Sequence, residues 1–247
     1  MIIGKIYRGQ TLLSLILSLS LSSILLFIII SFYTQTEHQN KKIFSKLYLQ
    51  SELQRTVQLI AKDLRRSGFR AISDKIKVDN LSYFEKNNPY SVTIGQLATE
   101  TQNSCVIFFY DLNATGCIGT TYTQGLCIKE GKNSTKEIES ELFGYRLNKN
   151  MIETRSAYKN SVSQQCTSSQ CFKYLQASAC DSSGWIDLLD DNEIAISTLN
   201  FSWLIEGKAI EVSLEGYLKS SPDIRYETSS IIPILNNIIW TENNESN

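Results

Sequence analysis

The feature that most constrains this chain is a long uncharged stretch near its N-terminus. No charged residue occurs from Gly9 to Thr36, and the part from Leu12 to Phe32 is apolar apart from serines. About 20 such residues are enough for an α-helix to cross the hydrocarbon core of a bilayer. Lys5 and Arg8 precede the stretch, and basic flanks stay on the cytoplasmic side. The pattern predicts one membrane-spanning helix, with the chain after it exported.

Serines at positions 14, 18, 20, 22 and 23 lower the hydrophobicity of the apolar stretch. A serine hydroxyl in a helix can donate a hydrogen bond to a carbonyl of the preceding turn, which removes most of the penalty for placing it in lipid. Small side chains also let a second helix approach closely. The serines are therefore compatible with a membrane helix that packs against other helices.

Two other interpretations of the stretch stay open. A cleaved secretory signal peptide has a shorter apolar core followed by a small-x-small cleavage motif, which the sequence at 31–36 matches poorly. A plain signal anchor would keep its N-terminus and would need no processing.

The helix is predicted to continue beyond the membrane, over 37–68, because no glycine or proline occurs before Gly68. Apolar residues recur near helical spacing, and charged residues occupy the other faces. The apolar set is Ile43, Leu47, Leu53, Val57, Ile60 and Leu64. This stripe is expected to pack on a sheet of the same chain. A juxtamembrane coiled coil is the alternative, but the stripe covers too few heptad repeats to indicate one.

The remainder, 69–247, is predicted to form an exported head rich in β-strands. A short apolar run at 104–110 indicates a buried strand, and 143–147 with 151–155 indicates a hairpin. Two further strands are predicted at 194–203 and 209–217, joined by a turn at Gly207 and Lys208. In the second of them, apolar Ile210, Val212 and Leu214 alternate with polar residues, so that one face is buried.

Six cysteines all lie in the predicted head: Cys105, Cys117, Cys127, Cys166, Cys171 and Cys180. An even number after an export signal indicates disulfides in an oxidising compartment. A zinc site would need closer pairs with histidine support, and the only histidine is His38. Six cysteines allow fifteen pairings, and the short loop between Cys117 and Cys127 favours that pair. The Ser- and Cys-rich stretch 156–184 is expected to be an insertion held by disulfides rather than by a core.

No arrangement in the sequence indicates an enzyme, a cofactor or a metal centre. A hydrolase needs a nucleophile beside a base, and one histidine next to the membrane segment cannot supply it in the head. Asp111, Asn113 and Thr115 resemble the opening of a calcium loop, but the twelfth position is Tyr122 instead of a glutamate. An Asx-stabilised turn is the simpler interpretation. The acidic cluster after Trp185 is interpreted as a solvated loop.

Direct binding to nucleic acid is not expected. The chain carries 24 basic and 25 acidic residues, and removal of Lys5 and Arg8 would leave a formal charge of −3. Phosphate binding needs concentrated lysine and arginine. The candidates for interleaved basic and aromatic residues are Lys159 and Lys173, beside Tyr158, Phe172 and Tyr174. Surface loops with packing aromatic residues are the simpler interpretation.

The N-terminus resembles that of type IV prepilins, which carry a short basic leader ending in glycine before the apolar helix. The resemblance implies cleavage between Gly9 and Gln10 by a prepilin peptidase, with 1–9 as the leader. Gln10 replaces the usual phenylalanine, and Ser14 replaces the glutamate at the fifth mature position. In the family that glutamate pairs with the N-terminal amine of a neighbouring subunit, so its absence would suit a subunit at the filament tip.

The head extends this resemblance. The runs Cys-Val-Ile-Phe-Phe-Tyr-Asp-Leu-Asn, Phe-Gly-Tyr-Arg-Leu, Ile-Glu-Thr-Arg and Trp-Ile-Asp-Leu-Leu are similar, in that order, to PilW-type minor pilins. That group includes prepilin-peptidase-dependent protein B and is related to the J-type minor pseudopilins of type II secretion. The resemblance implies an α+β, pilin-like fold, with a long N-terminal helix packed on an antiparallel sheet.

It also implies a minor pilin that helps to initiate or cap pilus assembly, at the inner membrane with its head in the periplasm. The expected partners are other minor pilins, the major pilin, the prepilin peptidase and the assembly platform, in a system for DNA uptake, adhesion or motility. Helix packing would involve Leu12, Leu13, Ser14, Leu15, Ile16 and Leu19. A single-pass exported receptor or adhesin, and a type II secretion pseudopilin, are the alternatives.

Overall fold

The computed structural model of the protein describes residues 10–71, 79–85, 90–120, 126–155 and 165–236. The chain divides into two compact units, Met1–Leu47 and Tyr48–Asn247. The first unit contains the beginning of one long helix, α1 (Gln10–Leu64). The second contains the end of that helix and the β-rich head. The predicted α+β class, with a long N-terminal helix and an antiparallel sheet, is confirmed.

Helix α1 ends as the sequence predicts, at a glycine. After Leu64 the turn tightens, with Arg66 N–H bonded to Asp63 O at 2.9 Å and Ser67 N–H to Leu64 O at 3.1 Å. Gly68 then adopts φ +72°, a left-handed conformation that favours glycine. The Asn236 side-chain amide donates to the carbonyls of Arg65 and Ser67 and so caps the helix end.

The described part of the head contains three antiparallel sheets. The five-stranded sheet has the order β1-β2-β5-β6-β7, the three-stranded sheet β10-β9-β8, and β3 pairs with β4. The strands are β1 Val92–Gly95, β2 Cys105–Phe109, β3 Ile128–Lys129, β4 Lys132–Asn133, β5 Leu142–Asn148, β6 Met151–Arg155, β7 Trp185–Asp187, β8 Ile194–Ile205, β9 Ala209–Leu218 and β10 Ser221–Pro233. The predicted buried strand, hairpin and β8–β9 pair are all present.

One face of both larger sheets is covered by the last part of α1, which we call the inner cover (Tyr48–Leu64). Its buried side chains are Leu49, Leu53, Val57, Ile60, Ala61 and Leu64, spaced three or four apart. They pack with Val106 and Phe108 of β2 and with Ile210, Val212 and Leu214 of β9. Burial of this continuous apolar surface holds the helix to the sheets.

The predicted stripe on α1 is wrong at its first two positions. Ile43 and Leu47 are 55 % and 53 % exposed, and burial begins at Leu49. At about 100° per residue, Leu47 lies roughly 200° around the helix from Leu49, so it belongs to a different face. The buried face is therefore set by Leu49 and Leu53, not by the residues nearest the membrane stretch.

The other face of the five-stranded sheet has a different covering, which we call the cystine layer (α2 with residues 110–120, 126–141 and 166–181). It contains α2 (Leu81–Phe84), α3 (Ser168–Cys171) and the 3₁₀ turns Ile138–Glu141, Phe172–Leu175 and Ala177–Asp181. Ile107 and Phe109 of β2 point into it, alternating with Val106 and Phe108 on the inner face. All five residues of β2 are therefore buried.

Candidate functional site

The apolar part of α1 is the first candidate site, because its side chains have no cover within the unit Met1–Leu47. The five apolar residues predicted to pack against other helices are all exposed: Leu12 70 %, Leu13 70 %, Leu15 58 %, Ile16 58 % and Leu19 58 %. The helix is long and apolar enough to cross a membrane. So large an apolar surface needs lipid or other helices around it.

The serines of this segment satisfy their hydroxyls locally, as the sequence predicts. Ser18, Ser20 and Ser22 each donate to the carbonyl three residues earlier, at 3.0, 2.9 and 3.0 Å. Thr34 does the same with Ser31 at 2.9 Å. These bonds leave the surface of the helix effectively apolar.

The predicted processing site lies at the beginning of the described chain. Gln10 is the first residue of α1, and Gly9 falls outside the described residues. Ser14 lies within the first turns of α1. Cleavage between Gly9 and Gln10 stays a prediction.

The six cysteines form three disulfides: Cys105–Cys180, Cys117–Cys127 and Cys166–Cys171. The favoured pair Cys117–Cys127 is thus confirmed. Cys105 lies on β2, so its bond to Cys180 ties the cystine layer directly to the sheet. Residues 156–164 of the predicted insertion lie outside the described chain.

The expectation that the insertion lacks a core is wrong for its described part. Cys166, Cys171, Ala179 and Cys180 are 8 % exposed or less and pack with the outer side chains of β2 and with Phe84. Disulfide sulfur is apolar, so the cystines themselves supply core contacts. Covalent linkage and apolar burial therefore act together in this layer.

Arg146 joins the cystine layer to the sheet by polar contacts. Its Nε lies 2.5 Å from Glu153 Oε2, and its guanidinium lies 4.6 Å from the centre of the Trp185 ring. Its Nη1 donates to the carbonyl of Cys180. Gly144 makes room for that ring, since a Cβ there would lie 2.8 Å from Trp185 Cη2. A planar guanidinium can make all these contacts at once, which lysine cannot.

The loop with the calcium-like pattern is held by backbone hydrogen bonds. The buried Asp111 carboxylate accepts from the N–H groups of Ala71, Thr115 and Gly116 at 3.0, 2.9 and 2.7 Å. Asn113 Oδ1 also accepts from Thr115 N–H, at 3.1 Å. This is the Asx-type geometry that the simpler interpretation predicts.

Glu141 is a buried carboxylate that the sequence did not single out. It is fully buried and accepts from the N–H groups of Leu112, Asn113 and Gly119 at 3.0, 3.3 and 2.5 Å. Burial raises the pKa of its carboxyl to about 7, and these hydrogen bonds offset part of that rise. The negative charge of Asp111 raises it further. A glutamate in a polar sequence context gives no signal of such burial.

The four acidic residues after Trp185 are exposed, and the side chains of two of them accept hydrogen bonds from this chain. Glu193 Oε2 accepts from the Tyr48 hydroxyl at 2.6 Å, which raises the pKa of Tyr48 to about 12. Asp190 Oδ1 accepts from the backbone N–H of Asn192 at 2.9 Å. Within the described ranges, no cluster of three histidine, cysteine, aspartate or glutamate side chains has metal-binding geometry.

The interleaved basic and aromatic residues are only partly described. Phe172 and Lys173 lie on a 3₁₀ turn of the cystine layer, with Tyr174 packed against its buried cluster. Lys159 and Tyr158 fall outside the described residues. The described part therefore gives Tyr174 a packing role.

Comparisons with known proteins agree with the pilin resemblance. A family model described as prepilin peptidase-dependent protein B matches residues 42–234. A Haemophilus influenzae (strain ATCC 51907 / DSM 11121 / KW20 / Rd) protein described as "Uncharacterized protein" is 48 % identical over 231 residues. That alignment covers 93 % of this chain and 97 % of the relative. No solved structure matches the chain.

Proposed function

The chain belongs to the family of prepilin peptidase-dependent protein B, and from this membership we propose that it is a minor type IV pilin. In this role it takes part in initiating or capping pilus assembly, at the tip of the filament. The observation that carries the proposal is the uncovered apolar surface of α1 from Leu12 to Tyr33. Lipid covers such a surface before assembly, and helices of sister subunits cover it afterwards.

The domain organisation follows from this role. Residues 1–9 are the leader, 10–36 the membrane helix, 37–68 its extension, and 69–247 the periplasmic head with the insertion 156–184. The prepilin peptidase removes the leader between Gly9 and Gln10 at the inner membrane. The other minor pilins, the major pilin and the assembly platform are the partners.

Ser14 supports the position at the tip. A carboxylate within lipid is costly unless it is paired, which is why it can direct docking on a preceding subunit. A subunit that begins the filament meets no preceding subunit, so a serine at this position costs it nothing.

Mass spectrometry of the membrane-extracted protein tests the processing step. In cells that contain prepilin peptidase we expect the mature chain to begin at Gln10, and in cells without the peptidase at Met1. A chain that begins at Met1 in both strains would contradict the proposal.

Deletion of the gene tests the assembly role. We expect fewer surface pili, restored by the full chain but not by a variant lacking residues 1–36. Unchanged piliation with loss of ligand binding would instead identify an exported receptor or adhesin. Normal pili with a defect in type II secretion would identify a pseudopilin.

A further inference from the structure

The two long edge strands of the three-stranded sheet differ in how they are covered. On β8, Ile196 N–H bonds to Asn150 O at 2.7 Å and Phe201 N–H to Asn103 O at 2.9 Å, so the loops of the neighbouring sheet cover this edge. Within the described chain, the outer edge of β10 from Arg225 to Ile232 has no such main-chain partner. Alternate residues there present free N–H and C=O groups.

Beside this free edge lies a cavity of about 500 Å³, which we call the β10 slot. One wall is formed by Thr228, Ser229 and Ser230 of β10. The other is a face of α1 that carries Gln54, Val57, Gln58, Ala61 and Arg65. The slot therefore lies between α1 and the edge strand β10, beside the position that a fourth strand would take.

The inward positions of β10 show that the slot is not an extension of the core. Ile224 and Ile232 are buried at the two ends, but Thr228 and Ser230 lie between them, opposite Leu214 and Val212 of β9. An inward face that packed only against α1 would be apolar at these positions as well. The hydroxyls instead line a space that can accept polar groups.

Two bridges close the slot at its ends. Gln54 Nε2 donates to the Tyr226 hydroxyl at 2.9 Å at one end, and Asn236 Nδ2 donates to Arg65 O at 3.3 Å at the other. The helix rises about 16 Å between Gln54 and Arg65, the length of roughly five residues of extended chain. The slot therefore has the dimensions of one short strand.

We propose that the β10 slot binds an extended segment of a different pilin, not of a second copy of this chain, and that the segment adds to the sheet as a fourth strand. Main-chain hydrogen bonds to β10 supply the affinity, and the inward side chains of the segment face the exposed Gln58 on α1. Among the described lining residues, the one charged group is the exposed guanidinium of Arg65, which forms no ion pair with a described carboxylate. The segment accordingly has an uncharged middle and an acidic residue at the Arg65 end.

The outer edge of β10 is poorly protected against pairing with another strand. Natural edge strands are shielded by proline, lysine or bulges. On β10 the prolines stand only at the ends, at positions 222 and 233, and the register shift lies between Ser221 and Arg225. The middle of the strand is left open.

The test is binding of fluorescein-labelled octapeptides to the full-length protein in detergent. The peptides tile the major and minor pilins of the same cell. We expect at least one peptide to bind, and Gln58→Trp to weaken its binding about tenfold or more by filling the slot. Leu59→Trp, on an adjacent helix face that does not line the cavity, is the matched control and should bind as the wild type does.

Two further readouts separate strand addition from other binding. N-methylation of alternate peptide residues should abolish binding in one of the two registers only, because only one set of N–H groups faces β10. Hydrogen exchange in the wild type should slow at residues 225–232 when the peptide is added. Equal tolerance of both registers, or unchanged exchange, would overturn the proposal.

The identity of the partner rests on the proposed function, but failure of the slot proposal can be distinguished from failure of the proposed function. The slot proposal would be overturned if no peptide bound, or if binding survived Gln58→Trp. The pilin role would still be supported if the leader were cleaved and piliation depended on the gene. A chain that forms a dimer lost in Gln58→Trp would assign the slot to a second copy instead, and would also overturn the proposal.

Discussion

The inner cover and the cystine layer protect opposite faces of the same five-stranded sheet by different means. The inner cover is part of one long helix, and its buried residues Leu49 to Leu64 are all apolar except Thr56. The cystine layer has no helix longer than five residues within its described part. It takes part in all three disulfides and contains the buried carboxylates of Asp111 and Glu141. In the cystine layer, cross-links and buried hydrogen bonds therefore act together with apolar burial, whereas the inner cover relies mainly on apolar burial.

The largest expected effect is loss of the long-range cystine. The bond Cys105–Cys180 closes a loop of 75 residues, so its removal by paired alanine substitutions should lower the free energy of unfolding by about 4 kcal/mol. The matched control, Cys166→Ala with Cys171→Ala, opens a loop of only 5 residues and should cost about 2 kcal/mol. Urea unfolding of the full-length protein in detergent measures both. Equal losses would contradict a loop-closing role.

A smaller effect separates the two covers by their response to reductant. Ile60 in the inner cover and Ile107 beneath the cystine layer are both fully buried. Each isoleucine-to-alanine change should cost about 3 kcal/mol in the oxidised protein. After reduction, Ile60→Ala should cost the same, whereas Ile107→Ala should cost less, because a loosened layer can collapse into the cavity. Equal sensitivity of both variants to reductant would remove the distinction.

The smallest of the three effects is a pH dependence of the free energy of unfolding that arises from Glu141 in the cystine layer. Since the pKa of folded Glu141 is about 7, above its ordinary value of 4.5, the folded chain binds more protons than the unfolded chain between these values. This contribution to stability is therefore present at low pH and is lost as the pH rises through 7, by about 2 kcal/mol between pH 5 and 7.5. Chemical denaturation at both pH values measures the free energy of unfolding, and in Glu141→Gln the difference between the two values should be smaller than in the wild type. If Glu141→Gln instead made the protein lose more stability between pH 5 and 7.5 than the wild type loses, the prediction would be wrong.

The sequence was sufficient to predict the elements in which apolar residues recur at the spacing of a buried face. Strand β9 alternates Ile210, Val212 and Leu214 with polar residues, and the structure buries those three on one face. Strand β10 was missed, although it is the longest, because Thr228 and Ser230 stand where an inward face would be apolar. The same polar residues line the β10 slot, so one feature explains both why this strand was missed and why a candidate binding surface lies there.

The candidate sites were predictable only where the signal is local. The apolar helix and the pair Cys117–Cys127 follow from neighbouring residues. The bond Cys105–Cys180 and the burial of Glu141 depend on how distant segments meet in the head, which no local pattern encodes.

The position of the bond between Cys105 and Cys180 has a mechanical consequence. In the proposed role the subunit carries tension along the filament, and a polypeptide under tension lengthens by unfolding. The bond removes the 75 enclosed residues from the load path, and with them about 250 Å of extensible contour. When the head is pulled, only the residues outside that loop can therefore unfold and extend. Reduction of the bond would let the enclosed residues extend as well and would make the head much more extensible.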